Sequence, residues 1–374
     1  MTMKNYLTIG LFLLLFSCKK VEEIAVIIPA PPLSSGINVR DYGAEGNGIQ
    51  DDTQAFEKAM QVADSLKQPV IVPVGIYRAY VKILYNGLTI TGQQQPTAAF
   101  KEGTIIIGSI NCNNKKNVLV QQLGIDAAGV LRQQDAAALT SGDGIDSVSL
   151  FQTFRNISLR GGGYQEYQHG ILCQTGRNIQ IKNIIVRDFY HGIAIRSGGV
   201  SIDSVEAISC GFTSIIIKSA ETYNARTSDV DVNHVNISGN AGNPFERGGT
   251  ILVQSYDNNS LTENIHIQNV TSNSAGVSAI AINQTRGIVR KVQIENCKAV
   301  NQGDDPSRAC FEVQGGSDIL YKNCTAEQAR GTGFRCAGNT TRVRVEQCFE
   351  KNSGILPWQG NFNYLQLNGI EIIK

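Results

Sequence analysis

One short phrase recurs through the second half of the chain and limits the possible folds more than any other feature. It reads apolar, polar, apolar, polar, Asn, apolar. Ile179-Gln-Ile181-Lys-Asn183-Ile184 is one copy; others run from Ile265 to Val270, Val292 to Cys297, Ile319 to Cys324 and Val343 to Cys348, the last with Gln347 in the Asn slot. Asn156 opens the series, and Ser204 and His234 fill the slot in two less regular copies. Successive slots lie 27, 21, 30, 35, 27, 27 and 24 residues apart. Alternation of period two means a strand with one buried face. A repeat of this length, with a turn residue at a fixed place, means that each coil stacks on the one before. Asn suits a sharp bend between two strands because it tolerates left-handed backbone, and its amide can bond the neighbouring coil. The leucine-rich consensus is absent, and so is any 3.6-residue period. The chain is therefore read as all-β: a single-stranded right-handed parallel β-helix of stacked three-strand coils.

Composition agrees with a turn-rich solenoid. The 374 residues include 38 glycines, and 42% are hydrophobic against 17% charged, enough apolar material for a long core. A formal net charge of +1 argues against a nucleic-acid binder steered by a basic field. Eight cysteines follow Cys18. Cys297, Cys324 and Cys348 come directly after the bend residue in consecutive coils, so they are expected to stack inside as free thiols, without disulfides or metal.

A second motif follows each bend by about ten residues. Its copies are Gly170-Ile171-Leu-Cys173-Gln174, Gly192-Ile193-Ala-Ile195-Arg196, Ser214-Ile215-Ile-Ile217-Lys218, Thr250-Ile251-Leu-Val253-Gln254 and Ala279-Ile280-Ala-Ile282-Asn283. They predict another sheet, whose outward residues Gln174, Arg196, Lys218, Gln254 and Asn283 form a polar stripe.

The two ends read differently. Residues 1–17 have a positive start at Lys4 and a short apolar run, as an export signal does. The run ends in Leu15-Phe16-Ser17-Cys18, which resembles a bacterial lipobox, with Cys18 as the lipidated residue. Residues 18–36 read as a tether, and the expected location is the cell envelope, at the outer membrane. From residue 37 to 374 one β-helix domain is expected, with a cap over 37–80 and a tail over 357–374. In the cap, Asp51 or Asp52 is placed to start a helix at Thr53, with Ala55, Phe56, Ala59, Met60, Ala63 and Leu66 on its buried face and a strand at Val70–Pro73.

The run Ile37-Asn-Val-Arg-Asp41-Tyr42-Gly43-Ala-Glu-Gly46-Asn-Gly48-Ile-Gln-Asp51-Asp52-Thr53 resembles the opening signature of the pectate lyase superfamily. So does Val72-Pro73-Val-Gly75-Ile-Tyr77. With the repeats, the resemblance covers roughly residues 37 to 356. It implies the β-helix fold and a place among polysaccharide lyases, glycoside hydrolases, epimerases and tailspikes. Partial matches reach the polygalacturonase-like glycoside hydrolase family 28: Asp143-Gly144-Ile145-Asp146, His191-Gly192-Ile193-Ala194-Ile195 and Ile216-Ile217-Lys218. They imply Asp143 as a catalytic carboxylate and Asp146 beside the substrate. The slot for that family's Asp-Asp pair holds Gln168-His169, which leaves Asp143 without its partner and puts strict hydrolysis in doubt.

The remaining cluster is His169, His191, Arg196 and Lys218 on neighbouring coils, with Asp143 and Gln174 alongside. His169 and His191 hold equal motif positions and are expected about one strand spacing, roughly 5 Å, apart. Such a group suits a uronate: cations bind its carboxylate and stabilise the enolate formed by proton abstraction, and crowding among cations favours a neutral base. Asp143, His169, His191, Arg196 and Lys218 are thus the catalytic candidates, and Asp146, Gln174, Gln254 and Asn283 the substrate-binding ones. No cofactor is expected. The missing aspartate cluster argues against a calcium-dependent pectate lyase, and only loops remain as a source of Ca2+ ligands. The reading is a monomeric, lipid-anchored enzyme cleaving an acidic polysaccharide by β-elimination or hydrolysis. Its rival is a non-catalytic glycan-binding or adhesive β-helix. A trimeric tailspike would need more chain after Pro357.

Overall fold

The computed structural model describes residues 35–130, 136–142, 149–163, 168–219, 225–239, 249–273, 278–300, 309–352, 358–367 and 370–373. The stretch from Leu33 onward forms one compact unit. It is a right-handed parallel β-helix, as the repeats predict. Each typical coil has three arms. In one of them Ile179–Lys182 and Ile184–Arg187 flank the bend at Asn183, and His191–Ile195 follows a second bend at Asp188.

The bends explain the repeat. Gln122, Asn156, Asn183, Ser204, His234, Asn269, Asn296, Asn323 and Gln347 all have left-handed backbone, with φ between 50° and 61°. Side chains on either side of such a residue point to the same interior, so Ile181 and Ile184 are both buried although three positions apart. Two further bend series are left-handed as well: Asp188, Ser209, Gly239 and Gln328 after the second arm, and Asn178, Asp229, Asn264, Lys291, Asp318 and Arg342 before the first. The sequence disclosed only one of the three series, because in the other two the residue type changes from coil to coil, Asn, Asp and Gly giving way to Lys, Arg, Ser or Gln.

A polar ladder joins some of the consecutive Asn bends. Asn183 Nδ2 donates to Asn156 Oδ1 at 2.7 Å, and Asn323 Nδ2 donates to Asn296 Oδ1 at 3.3 Å. Where His234 replaces Asn the ladder breaks: Asn269 donates instead to Asn233 Oδ1, and His234 Nδ1 pairs with Asp203 at 2.8 Å.

One interior column shows the register from coil to coil. Ile181 pairs with Ile202, that with Val232, then Ile267, Ile294, Tyr321 and Val345. These side chains are 0–1% exposed, and each buried aliphatic one contributes about 1.5–3 kcal/mol. Cys297, Cys324 and Cys348 stack within the core as expected, the Cys324 N–H reaching Cys348 Sγ at 3.4 Å. All eight described cysteines are free and buried. Burial pushes the Cys173 thiol up to about 12 and the Cys324 thiol well above its usual value, so neither is a ready nucleophile.

At the N-terminal end the capping helix runs Thr53–Leu66. Ala55, Phe56, Ala59, Met60 and Ala63 face the core, but Leu66 is 58% exposed, because the last helical turn extends past the coil it covers. Asp51 Oδ1 accepts from the Thr53 N–H at 3.0 Å. Asp52 occupies the cap position but turns its carboxylate to the N–H groups of Glu45 and Gly46. The strand after the helix is Val70–Val72. At the other end the solenoid continues past the last recognised repeat: Trp358–Gly360 pairs in parallel with Phe334–Cys336. Tyr364–Leu367 and Ile370–Ile373 then close the structure as an antiparallel pair.

A buried ion cluster lies just before the bends that lead into the first arm. Glu263 is 2% exposed and accepts from Arg226 at 2.6 Å and from Arg290 at 2.8 Å. Burial alone would raise its pKa, but the two guanidinium groups outweigh that and hold it below the ordinary value.

Two outcomes follow from these contacts. Asn183→Ala loses both an amide bond and a residue tolerant of left-handed backbone, and is expected to cost roughly 1–2 kcal/mol in urea unfolding; Asn183→Gly, which restores the backbone, should cost less. The depressed carboxyl of Glu263 stabilises the fold fully above the unfolded carboxyl range, near pH 4.3, and that stability is lost as pH falls through the lower folded value. Glu263→Gln is therefore expected to lower the unfolding midpoint at neutral pH, by an amount that shrinks when unfolding is measured in increasingly acidic buffer.

Candidate functional site

The third arms build one sheet, and its outer face gathers the described candidate residues. A Cβ on Gly170 would lie 2.7 Å from Val186 Cγ2, and one on Gly192 would lie 3.1 Å from Cys210 Sγ. The position after each histidine therefore faces the core and has no room for a side chain. His169 and His191, one residue earlier, face outward. Beyond the glycines, Ile193 and Ile195 point inward and Ala194 and Arg196 outward.

Three outward rows result. The first holds His169, His191 and Thr213 in register. The second holds Leu172, Ala194, Ile216, Leu252 and Ala281, then Glu312 and Arg335. The third is the predicted polar stripe: Lys218 pairs with Gln254, Gln254 with Asn283 and Asn283 with Gln314. Gln174 and Arg196 each follow by one residue the paired positions Cys173 and Ile195, and the Arg196 N–H continues the ladder to Cys173 O at 2.7 Å.

The histidine rings stack as expected, with centroids 5.1 Å apart and planes 9° from parallel. His169 is fully buried and His191 is 5% exposed. His191 Nδ1 lies 2.7 Å from Thr213 Oγ1, which fixes the ring on the next coil. Its edge meets the rings of Tyr190 and Phe212, which stack on each other at 5.2 Å and join the outer apolar cluster with Leu172, Ala194 and Ile216. The histidines thus sit in a dry, aromatic-walled corner of the face, and Arg196 is itself only 7% exposed.

Lys218 lies in a different setting. Its Nζ is 4.5 Å from the centroid of the Tyr256 ring, an electrostatic attraction between cation and aromatic face. Two neighbouring positions of the row are braced by equivalent hydroxyls: Thr227 Oγ1 donates to Lys218 O and Thr262 Oγ1 to Gln254 O. Gln254 Nε2 donates to Thr285 Oγ1 at 3.2 Å.

Asp143 and Asp146 fall outside the described residues, as does Cys18. His169, His191, Arg196, Lys218, Gln174, Gln254 and Asn283 are brought to one face. Among the described residues, no group of three or more His, Cys, Asp or Glu side chains is disposed to hold a metal ion.

Three residues of this face escaped sequence reasoning. Tyr256, two positions after Gln254, leaves 48% of its surface exposed. Glu312 and Arg335 belong to two further copies of the second motif, Cys310-Phe311-Glu312-Val313-Gln314 and Gly333-Phe334-Arg335-Cys336-Ala337. Aromatic Phe in place of Ile at the inward position hid these copies, although their spacing was a usable signal.

A parallel β-helix with a polar, partly cationic row on the outside of one sheet defines a pectate lyase-like protein. Residues 36–335 match the family described as Rhamnogalacturonase A/epimerase, pectate lyase-like, and the chain belongs to that family. Among solved structures it is similar to the A-module of the Azotobacter vinelandii mannuronan C-5 epimerase AlgE6, with 15% identity over 89% of this chain and 98% of that one, TM-score 0.61. It is also similar to PfbA, a surface adhesin of Streptococcus pneumoniae, with 14% identity over 91% and 99% of the two chains, TM-score 0.59. The Dettilon tailspike protein follows at 10% identity over 85% and 63%, TM-score 0.55. No curated protein sequence matches the chain.

Proposed function

We propose that the protein acts on an acidic, uronate-containing polysaccharide lying across the third-arm sheet, and that it cleaves this polymer by β-elimination. The observation that carries the reading is the placement of Arg196 and Lys218 on adjacent coils of one row that otherwise presents amides. Two cations one coil apart suit a carboxylate, and their charge stabilises the enolate that forms when the neighbouring proton leaves. In this reading Lys218 stays charged and His191 accepts that proton. Departure of the linked sugar oxygen then leaves a double bond conjugated to the carboxylate and a new reducing end. Family membership supports a glycan as the partner, as does similarity to a mannuronan epimerase.

Hydrolysis assisted by Asp143 is the alternative chemistry. A non-catalytic adhesive role is supported by the exposed Tyr256 ring, since sugars stack on aromatic faces, and by similarity to an adhesin. In either case Cys18, once lipidated, tethers the protein to the envelope, at the outer membrane.

The deciding experiment incubates the purified protein with pectic, alginate and glycosaminoglycan polymers and follows reducing ends together with ultraviolet absorbance. Both signals should rise, and Arg196→Met or Lys218→Met should lower kcat/KM by about 10²-fold or more. Reducing ends without absorbance would transfer the chemistry to hydrolysis; neither signal, with measurable binding, would leave an adhesin. For the anchor, labelling of cells with a clickable fatty acid should mark the wild-type chain and not Cys18→Ala.

A further inference from the structure

The third-arm face continues around one edge of the solenoid. There Gly176–Arg177 follows the third arm His169–Cys173 and pairs in parallel with Ser149–Leu150. Phe151 comes next and forms the bend before the first arm, between Asn117 of the preceding coil and Asn178 of the following one. All three have left-handed backbone, with φ of 56°, 54° and 57° in chain order. Asn adopts this conformation readily, whereas it strains a bulky aromatic residue. Phe151 gains no burial in return, since 55% of its surface is exposed. Neither the bend nor the core accounts for a ring at this position.

Cations stand on both sides of the ring. Lys116 and Arg177 pair with Leu150 from the preceding and the following coil. Their backbones are therefore two strand spacings, roughly 10 Å, apart. Both side chains are exposed. Among the described residues no carboxylate lies within ion-pairing distance of either. Asp229 feels Arg177 only from farther off: its carboxyl is lowered first by the Ser228 hydroxyl, then by the Asn264 amide, and after these by the charges of Arg226 and Arg177.

We propose that Lys116, Phe151 and Arg177 form an edge subsite for the acidic polysaccharide, where the Phe151 ring stacks on one sugar and the two cations hold carboxylates on either side. An exposed ring offers the apolar surface on which sugars stack. The ammonium and the guanidinium supply the charge that uronates complement. Arg177 comes three residues after Gln174, so the two lie within about 11 Å along the chain, and the subsite adjoins the polar stripe. The strained ring is thus retained for what it touches outside the fold. This inference rests on the acidic-polysaccharide reading given above.

The test is calorimetric titration of the purified protein with uronate decasaccharides of pectic, alginate and glycosaminoglycan origin, beside urea unfolding of each variant. Phe151→Asn copies the bends on either side. It should unfold at the wild-type midpoint or higher, yet bind the preferred decasaccharide about fivefold more weakly. Phe151→Tyr keeps the ring and should retain wild-type affinity. Lys116→Gln combined with Arg177→Gln should weaken binding by about threefold or more and flatten its dependence on salt. Wild-type affinity in Phe151→Asn or in the double variant would overturn the subsite alone. So would equal losses in Phe151→Tyr and Phe151→Asn, or a lowered midpoint in Phe151→Asn, which would assign the ring to the fold. Failure of the wild type to bind any of the decasaccharides would overturn the acidic-polysaccharide reading and the subsite with it.

Discussion

Everything in this molecule depends on parallel backbone pairing between coils that remain in register. A parallel ladder leaves no freedom to slip by one residue, since such a slip would turn every core side chain to solvent. The register is maintained by placing a left-handed residue at the same point of each turn. Asn156, Asn183, Asn269, Asn296 and Asn323 do this with little strain, and Gln122, Ser204, His234 and Gln347 show that the geometry outranks the residue type. The interior then follows. Apolar side chains line up in columns because the bend presents the same positions at each level, and Tyr321 stands between Ile294 and Val345 in one of them.

The face that gathers the candidate residues inherits this order. Outward positions repeat once per coil, so a side chain placed there acquires neighbours one strand spacing above and below. His169 and His191 become a stacked pair for that reason alone. The same rule sets cations on neighbouring levels at Arg196 and Lys218. Precise placement therefore requires no specialised loop; it requires only that the right residue appear at the right level of a regular scaffold. The contrast between the dry histidine corner and the half-open Lys218–Tyr256 pair shows how differently two parts of one sheet can treat a polar group.

Period-two alternation and a recurring bend residue were enough to read the architecture, because both are local consequences of the long-range pairing. The stripe from Gln174 to Asn283 was legible for the same reason. Leu66 was misplaced since a helical face continues in sequence after the surface beneath it has ended. The strand at Trp358 falls in the stretch read as a tail, 357–374, because its coil lacks the bend phrase, although it pairs normally. Glu312 and Arg335 were missed where Phe311 and Phe334 replace the aliphatic inward residues, and Tyr256 because it lies just past its strand. Asp143 and Asp146 rested on resemblance, which carries no geometry of its own.

The final antiparallel strands have a consequence for the molecule's behaviour in a crowd. A solenoid whose two ends were both regular parallel edges would be complementary to itself, bottom to top. Such head-to-tail contacts do not close, so they build filaments. The capping helix blocks one end. At the other, Ile370–Ile373 runs against the direction of every coil below it, so the last edge offers an incoming coil the wrong polarity. Reversing one short strand thus disfavours, at that edge, the open-ended stacking that a uniformly parallel ladder invites.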